Sequence, residues 1–258
     1  MANWWQPLLT LVSGGVLWQG IKFFYPDLKQ RFKSYNDAKK SFYESLDPIL
    51  KAADELYGKI YSLSKEDFAT FINPSHSYSE DVEHNKKYVV YLFAQFWAQL
   101  EFIRLKSQYT SLTKFKKGKQ LLNFIETIES RDFRILDRSL QRVIGETLIE
   151  GATASFKVMN LNQFIKNYDI QDSEIHKWAE KVEHKLYACS DKRNRQRILV
   201  FGVIVCSLID HFDPDHKIIH PNKIYINKLN ESSKKLLKRN LFQHYLKFIK
   251  NKGNYYGE

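Results

Sequence analysis

Residues 210 to 220 carry the densest set of reactive side chains in this 258-residue chain. Asp210, His211, Asp213, Asp215, His216 and His220 put three carboxylates and three imidazoles within eleven residues. Converging oxygen and nitrogen donors are what a divalent cation or an acid/base pair requires. Glu146 is the further acid that a metal-dependent hydrolase at this place would recruit. The plainer reading is a helix stop. The cluster follows an apolar run, and Pro214 ends it. Acids at a helix C-terminus oppose the macrodipole, so they call for a partner such as arginine or a metal.

Other candidates are weaker. His176, Glu180 and His184 recur every four residues, yet on a helical wheel they fall away from the apolar stripe of Ile175, Trp178, Val182 and Leu186, which predicts a solvated face. Arg142 and Glu146 are spaced to pair along one helix. Cys189 and Cys206 form no CxxC pair, and Cys206 sits in an apolar run where a thiol packs as a small hydrophobe. Phosphate loops, a serine elbow and HExxH are missing from the sequence. No metal and no cofactor is expected, and an enzyme is the less favoured class.

The elements that would hold these residues are helices. Gly (10) and Pro (6) are scarce, while 43% of residues are hydrophobic and 15% aromatic, a composition that suits a packed core and disfavours turn-rich β folds. Leu46, Ile49, Leu50, Ala53, Leu56, Tyr57, Ile60 and Leu63 mark one face of a helix over 45 to 63. Residues 64 to 84 read as a short helix plus a loop. Tyr88 to Leu100 and Ile198 to Ile209 are uncharged and apolar nearly all round, too short for an ordinary membrane span and suited to buried central helices. Amphipathic helices are expected over 121 to 128, 137 to 150, 161 to 168, 173 to 189 and 232 to 252. The alternating segment 223 to 228 is too isolated for a sheet.

The net charge of +11 is unevenly spread. Residues 1 to 21 have no charged side chain, 22 to 40 carry +4, 41 to 216 carry −1, and 217 to 258 carry +8. From Trp4 to Phe24 the chain is long enough, at about 1.5 Å per residue, to cross a hydrocarbon core of about 30 Å. Trp4, Trp5, Leu8, Leu9, Leu11, Val12, Val16, Leu17 and Trp18 are its anchoring residues, with aromatics at both ends. Basic residues follow the span and none precedes it, which predicts a single-pass signal anchor in the inner (plasma) membrane with the bulk of the chain in the cytoplasm. A cleaved signal peptide lacks its basic n-region here. An interfacial helix and a soluble-core helix are the competing readings, because Gln6, Gln19 and Lys22 dilute the segment.

Lys234, Lys235, Lys238, Arg239, Lys247, Lys250 and Lys252 alternate with apolar residues as a basic amphipathic helix, the type that meets anionic surfaces. The chain thus divides into an anchor (1–25), a basic juxtamembrane segment (26–44), a helical bundle (45–216) and a basic C-terminal segment (217–258). The fold class is all-α, an N-terminal transmembrane helix followed by a multi-helix bundle. Its expected partners are the anionic lipids of the inner leaflet, then a protein; nucleic acid ranks lower because no readout motif is present. The function read from this is a membrane-anchored interaction or scaffold module. The alternatives are the hydrolase at 210 to 216 and, more weakly, nucleic-acid binding through the C-terminal segment.

Tyr88-Val-Val-Tyr-Leu-Phe-Ala-Gln-Phe-Trp-Ala-Gln-Leu-Glu-Phe-Ile-Arg104, with Asp47-Pro48, Ala53-Asp54-Glu55-Leu56, Ile144-Gly145-Glu146 and Leu208-Ile-Asp-His-Phe-Asp-Pro-Asp215, resembles a group of uncharacterised bacterial proteins. The resemblance spans most of residues 1 to 216. It implies an N-terminal membrane helix and a cytoplasmic helical domain, and no activity.

Overall fold

The structure is a computed structural model. It describes residues 16–73, 80–105, 112–151, 157–217 and 224–258, without the side chains before Lys29 or those of Arg31 and Ser41. The elements in chain order are α1 (Val16–Lys65), α2 (Ala69–Ile72), α3 (Glu80–Leu105), α4 (Lys116–Glu129), α5 (Arg138–Thr147), β1 (Ile149–Glu150), β2 (Lys157–Val158), α6 (Leu161–Tyr168), α7 (Glu174–Tyr187), α8 (Lys192–Phe212) and α9 (Glu231–Leu236), which runs on as a π-helix over Leu237–Tyr245. The protein is an all-α bundle whose only strands among the described residues are one short antiparallel pair.

The two uncharged runs form the centre. Val89 to Ala94 of α3 and Ile198 to Ile209 of α8 are buried. Helices with no polar face have nowhere else to go. Around them pack the stripe of α1 from Phe42 to Leu63 and the apolar sides of α4 and α7. The α1 and α8 helices run antiparallel: Phe42 meets Phe212 at 5.9 Å between ring centroids, while Ile60 lies beside Gly202. Side-chain caps start several helices, with Ser173, Asp191, Asn160 and Asn230 each accepting a bond from a first-turn backbone N–H.

Three expected helix bounds need correction. The helix expected over 45 to 63 is the last part of a 50-residue helix, α1. It passes through Pro26, where the ring removes one rung of the ladder, and takes in the stretch 26 to 44. The α5 helix stops at Thr147 instead of reaching Glu150, because Ile149 and Glu150 pair with Val158 and Lys157. The C-terminal helix breaks at Leu246, whose N–H bonds back to Leu241 at 2.7 Å, and Lys252 folds over the break to donate to the Phe242 and Lys247 carbonyls. Among the described residues no helix is long and apolar enough to cross a membrane, and most of the expected span falls outside them. Trp4, Trp5, Leu8, Leu9, Leu11 and Val12 lie outside the described residues; Val16, Leu17 and Trp18 open α1.

Candidate functional site

The end of α8 delivers the acid and histidine cluster, but the fold separates its members. Asp210 points inward, and its Oδ2 accepts from the Tyr255 hydroxyl at 2.7 Å and from the Cys206 thiol at 3.8 Å. Asp213 is buried and its Oδ1 accepts from the Lys217 backbone N–H at 2.9 Å, closing the turn that Pro214 starts. Asp215 is exposed and pairs with Lys217 at 3.0 Å. His220 lies outside the described residues. Glu146 is exposed on α5, whose principal partners are α3 and α7, so it does not join the Asp210 group. Among the described residues no three His, Cys, Asp or Glu side chains gather as a metal ligand set.

What does gather is a pocket of about 500 Å³ lined by Asp210, His211, His216, Lys250, Asn254 and Tyr255 over an apolar wall. Burial pushes the Asp210 carboxyl above its usual range, against the Tyr255 hydrogen bond and the His216 charge, which pull it down. His216 holds a left-handed backbone (φ 50°) and its buried Nδ1 has no hydrogen-bond partner. His211 is wedged against Phe212 and Phe248, each 4.9 Å away, with its Nε2 3.1 Å from Gln120 Oε1. Burial first, then the charges of Lys117, Lys116 and Lys250, lower its pKa to about 4. The pocket thus holds a carboxyl whose pKa is raised and an imidazole whose pKa is lowered, groups able to donate and accept protons.

Two predictions follow from opposite shifts. His211 titrates near 6.5 when unfolded and near 4 when folded, so the unfolded chain binds the extra proton and stability falls as pH drops through that window. His211→Phe should flatten this acid limb in melting curves taken between pH 6.5 and 4. Asp210 is shifted upward, so its contribution runs the other way, declining as pH rises from the ordinary carboxylate value to the folded one. Tyr255→Phe, which deletes the bond to that carboxylate, should cost about 1.5–3 kcal/mol at pH 7, whereas Asp210→Asn should cost less than Tyr255→Phe in the same urea titration.

The remaining candidates lie elsewhere, with His176, Glu180 and His184 lining a separate shallow pocket of about 320 Å³ beside Tyr168. Glu180 pairs with the exposed His184 at 3.3 Å, but His176 is drawn in, its Nδ1 lying 2.6 Å from the Tyr168 carbonyl oxygen. The Arg142 guanidinium turns away from Glu146 and grips Glu129 through two bonds of 3.1 and 2.8 Å. Glu129 also receives Arg104 at 2.6 Å and Arg138 at 2.7 Å. This charge cluster escaped the sequence reading. Its one legible trace was the spacing of Arg138 and Arg142 on one helix face.

Of the seven C-terminal cations, Lys234 pairs with Glu231, Lys238 with Glu258, and Lys252 caps carbonyls. Lys235, Arg239, Lys247 and Lys250 are exposed. The apolar half of the helix, Leu237, Leu241 and Phe242, is fully buried in the bundle. The segment therefore offers charge to the outside and no insertable apolar face. No family model matches the chain, and neither a curated protein nor a solved structure matches it.

Proposed function

We propose that this protein is a membrane-anchored helical module, with the apolar N-terminal segment as a single span and the bundle as an interaction or scaffold domain on the cytoplasmic side. The observation that carries the reading is the continuity of α1. That helix runs from Val16, inside the apolar segment, to Lys65, just past Leu63 and Ser64, which are buried in the bundle. Fifty residues at about 1.5 Å each make a rod of roughly 75 Å. Among the residues whose side chains are described its first buried one is Ala38, and Lys29, Gln30, Phe32 (67%) and Lys33 are exposed, so the helix stands clear of the bundle over that stretch. Lys29 and Lys33 are exposed on that free part, where each cation near an anionic leaflet contributes about 1 kcal/mol.

Fractionation tests this. The full-length chain is expected in the membrane pellet and to resist alkaline carbonate extraction, while deletion of residues 1 to 25 moves the domain to the supernatant with its helical circular dichroism retained. Recovery of the full-length chain in the supernatant overturns the reading.

A further inference from the structure

We infer that the surface of the bundle turned toward anionic lipid is the end at which α1 leaves it, built by Lys114, Lys116, Lys117 and Lys250, and that Lys234 and Lys235 face away. This rests on the anchored reading and adds the orientation.

The α1 exit is defined by contacts from several elements. Lys114 hydrogen-bonds to Ser34, and Lys117 lies over the Tyr43 ring at 5.9 Å from its centroid. Phe115 packs edge-on to Tyr35 and Phe42 at 6.2 and 5.1 Å. Phe42 meets Phe212 at the end of α8, and beside it His211 touches Phe248, two residues before Lys250. The His211 pKa, lowered first by burial and then by the charges of Lys117, Lys116 and Lys250, agrees with these three lysines sharing this end. Among the described residues the acids at this end are Glu44, held by Lys40, Asp215, held by Lys217, Asp210 and Asp213, turned inward onto the Tyr255 hydroxyl and the Lys217 backbone N–H, and Asp37.

Lys234 and Lys235 lie at the other end. Lys228 bonds to Asp67, just past the last turn of α1, and Gln196 in the second turn of α8 bonds to Lys228 and Asn230. Since α9 starts there, its first lysines are separated from the α1 exit by most of the length of α8, whose 21 residues span about 31 Å.

Distance then decides which cations feel the bilayer. Ser34 is nine residues beyond Tyr25, about 14 Å along an upright helix, and the headgroup layer itself takes up roughly 5–7 Å of that. The remaining gap of about 8 Å is close to the Debye length at physiological salt. The far end, marked by Gln196, is roughly 24 Å further off along α8, about three Debye lengths, where the lipid charge is screened.

The test uses the full-length chain reconstituted in vesicles of phosphatidylcholine with or without phosphatidylglycerol, carrying a headgroup-attached quencher. Lys117→Cys and Lys235→Cys variants are labelled with a fluorophore. Cys189 and Cys206 stay silent, both being buried, with burial pushing the Cys189 thiol up to about 12. The expected result is several-fold stronger quenching at position 117 than at 235 in the anionic vesicles, with the quenching at 117 reduced by high salt or by omitting phosphatidylglycerol. Equal quenching, or stronger quenching at 235, overturns the orientation and leaves the anchor standing. Failure of either variant to associate with any vesicle overturns the anchor and the orientation together. Melting temperatures close to that of the unsubstituted chain establish that both variants are folded.

Discussion

Replacing Glu129 by alanine is expected to destabilise the protein by about 3–5 kcal/mol, the cost of removing one partner from a buried ionic group. The Glu129 side chain is 7% exposed and holds three guanidinium groups, those of Arg104, Arg138 and Arg142. Arg104 also binds Glu101, whose other oxygen, Oε2, is buried without a hydrogen-bond partner. Loss of Glu129 leaves three guanidinium groups around a cavity, with Glu101 as the remaining carboxylate bound to Arg104. The pH dependence has a sign. Burial alone would raise the Glu129 carboxyl, but the bonds from Arg142 and Arg104 outweigh it and hold the group below its ordinary range. Its stabilisation is therefore complete above the ordinary carboxylate value and is lost as pH falls through the depressed folded one. Glu101 is shifted upward, burial outweighing Arg104, and partly offsets that loss. A lowered urea midpoint with an unchanged slope at pH 7 is the expected readout, with the gap between Glu129→Ala and the parent narrowing in acid. An unchanged midpoint would show that the cluster is held by solvent rather than by Glu129.

Gly202→Ala is the second large effect. A Cβ built there would stand 2.0 Å from the Tyr225 hydroxyl and 2.9 Å from Ile60 Cγ2. Tyr225 cannot swing out cheaply. It is buried, stacks on Tyr57 at 5.9 Å, and donates to the Leu199 carbonyl at 2.8 Å. Overpacking costs about 1–3 kcal/mol, and stripping the Tyr225 hydroxyl of its acceptor adds about 1–3 kcal/mol. Alanine favours helix over glycine by only about 1 kcal/mol, so the steric effect prevails. The pair Gly202→Ala with Tyr225→Phe isolates the cause: deleting the clashing oxygen should return part of the lost stability. A double variant no more stable than Gly202→Ala would place the strain at Ile60 instead.

The two apolar runs were readable as central helices because a helix without charge on any side can only be interior. The starts of α6 and α7 were readable to within a residue, at Leu161 and Ser173, whereas α8 begins six residues ahead of the apolar run at Ile198, where Asp191 caps a charged first turn. The β1–β2 pair was not readable, being two residues long on each side and held by pairing across a connection. Nor was the break at Leu246. The periodicity of the C-terminal segment continues through it, and what ends the helix is Lys252 reaching back to the Phe242 carbonyl.

The candidate site shows the same division. Asp210, His211 and His216 stood out by type and spacing, yet the partner of Asp210 is Tyr255, 45 residues away. Asp213 and Asp215, equally prominent, are used by the local turn. Glu129 was invisible as the centre of a charge cluster because its three arginines come from α3 and α5, and no spacing rule joins them.

By itself the sequence determined the all-α class, the identity of the buried central helices and the concentration of positive charge at the two flanks, all of which depend on periodicity and composition along the chain. Only the tertiary structure decided which cations share an end of the bundle and which acid faces which phenol. The antiparallel packing of α1 on α8 sets those distances. It brings Lys114 and Lys250, more than a hundred residues apart, to one end, while placing Lys234 and Lys235 at the other.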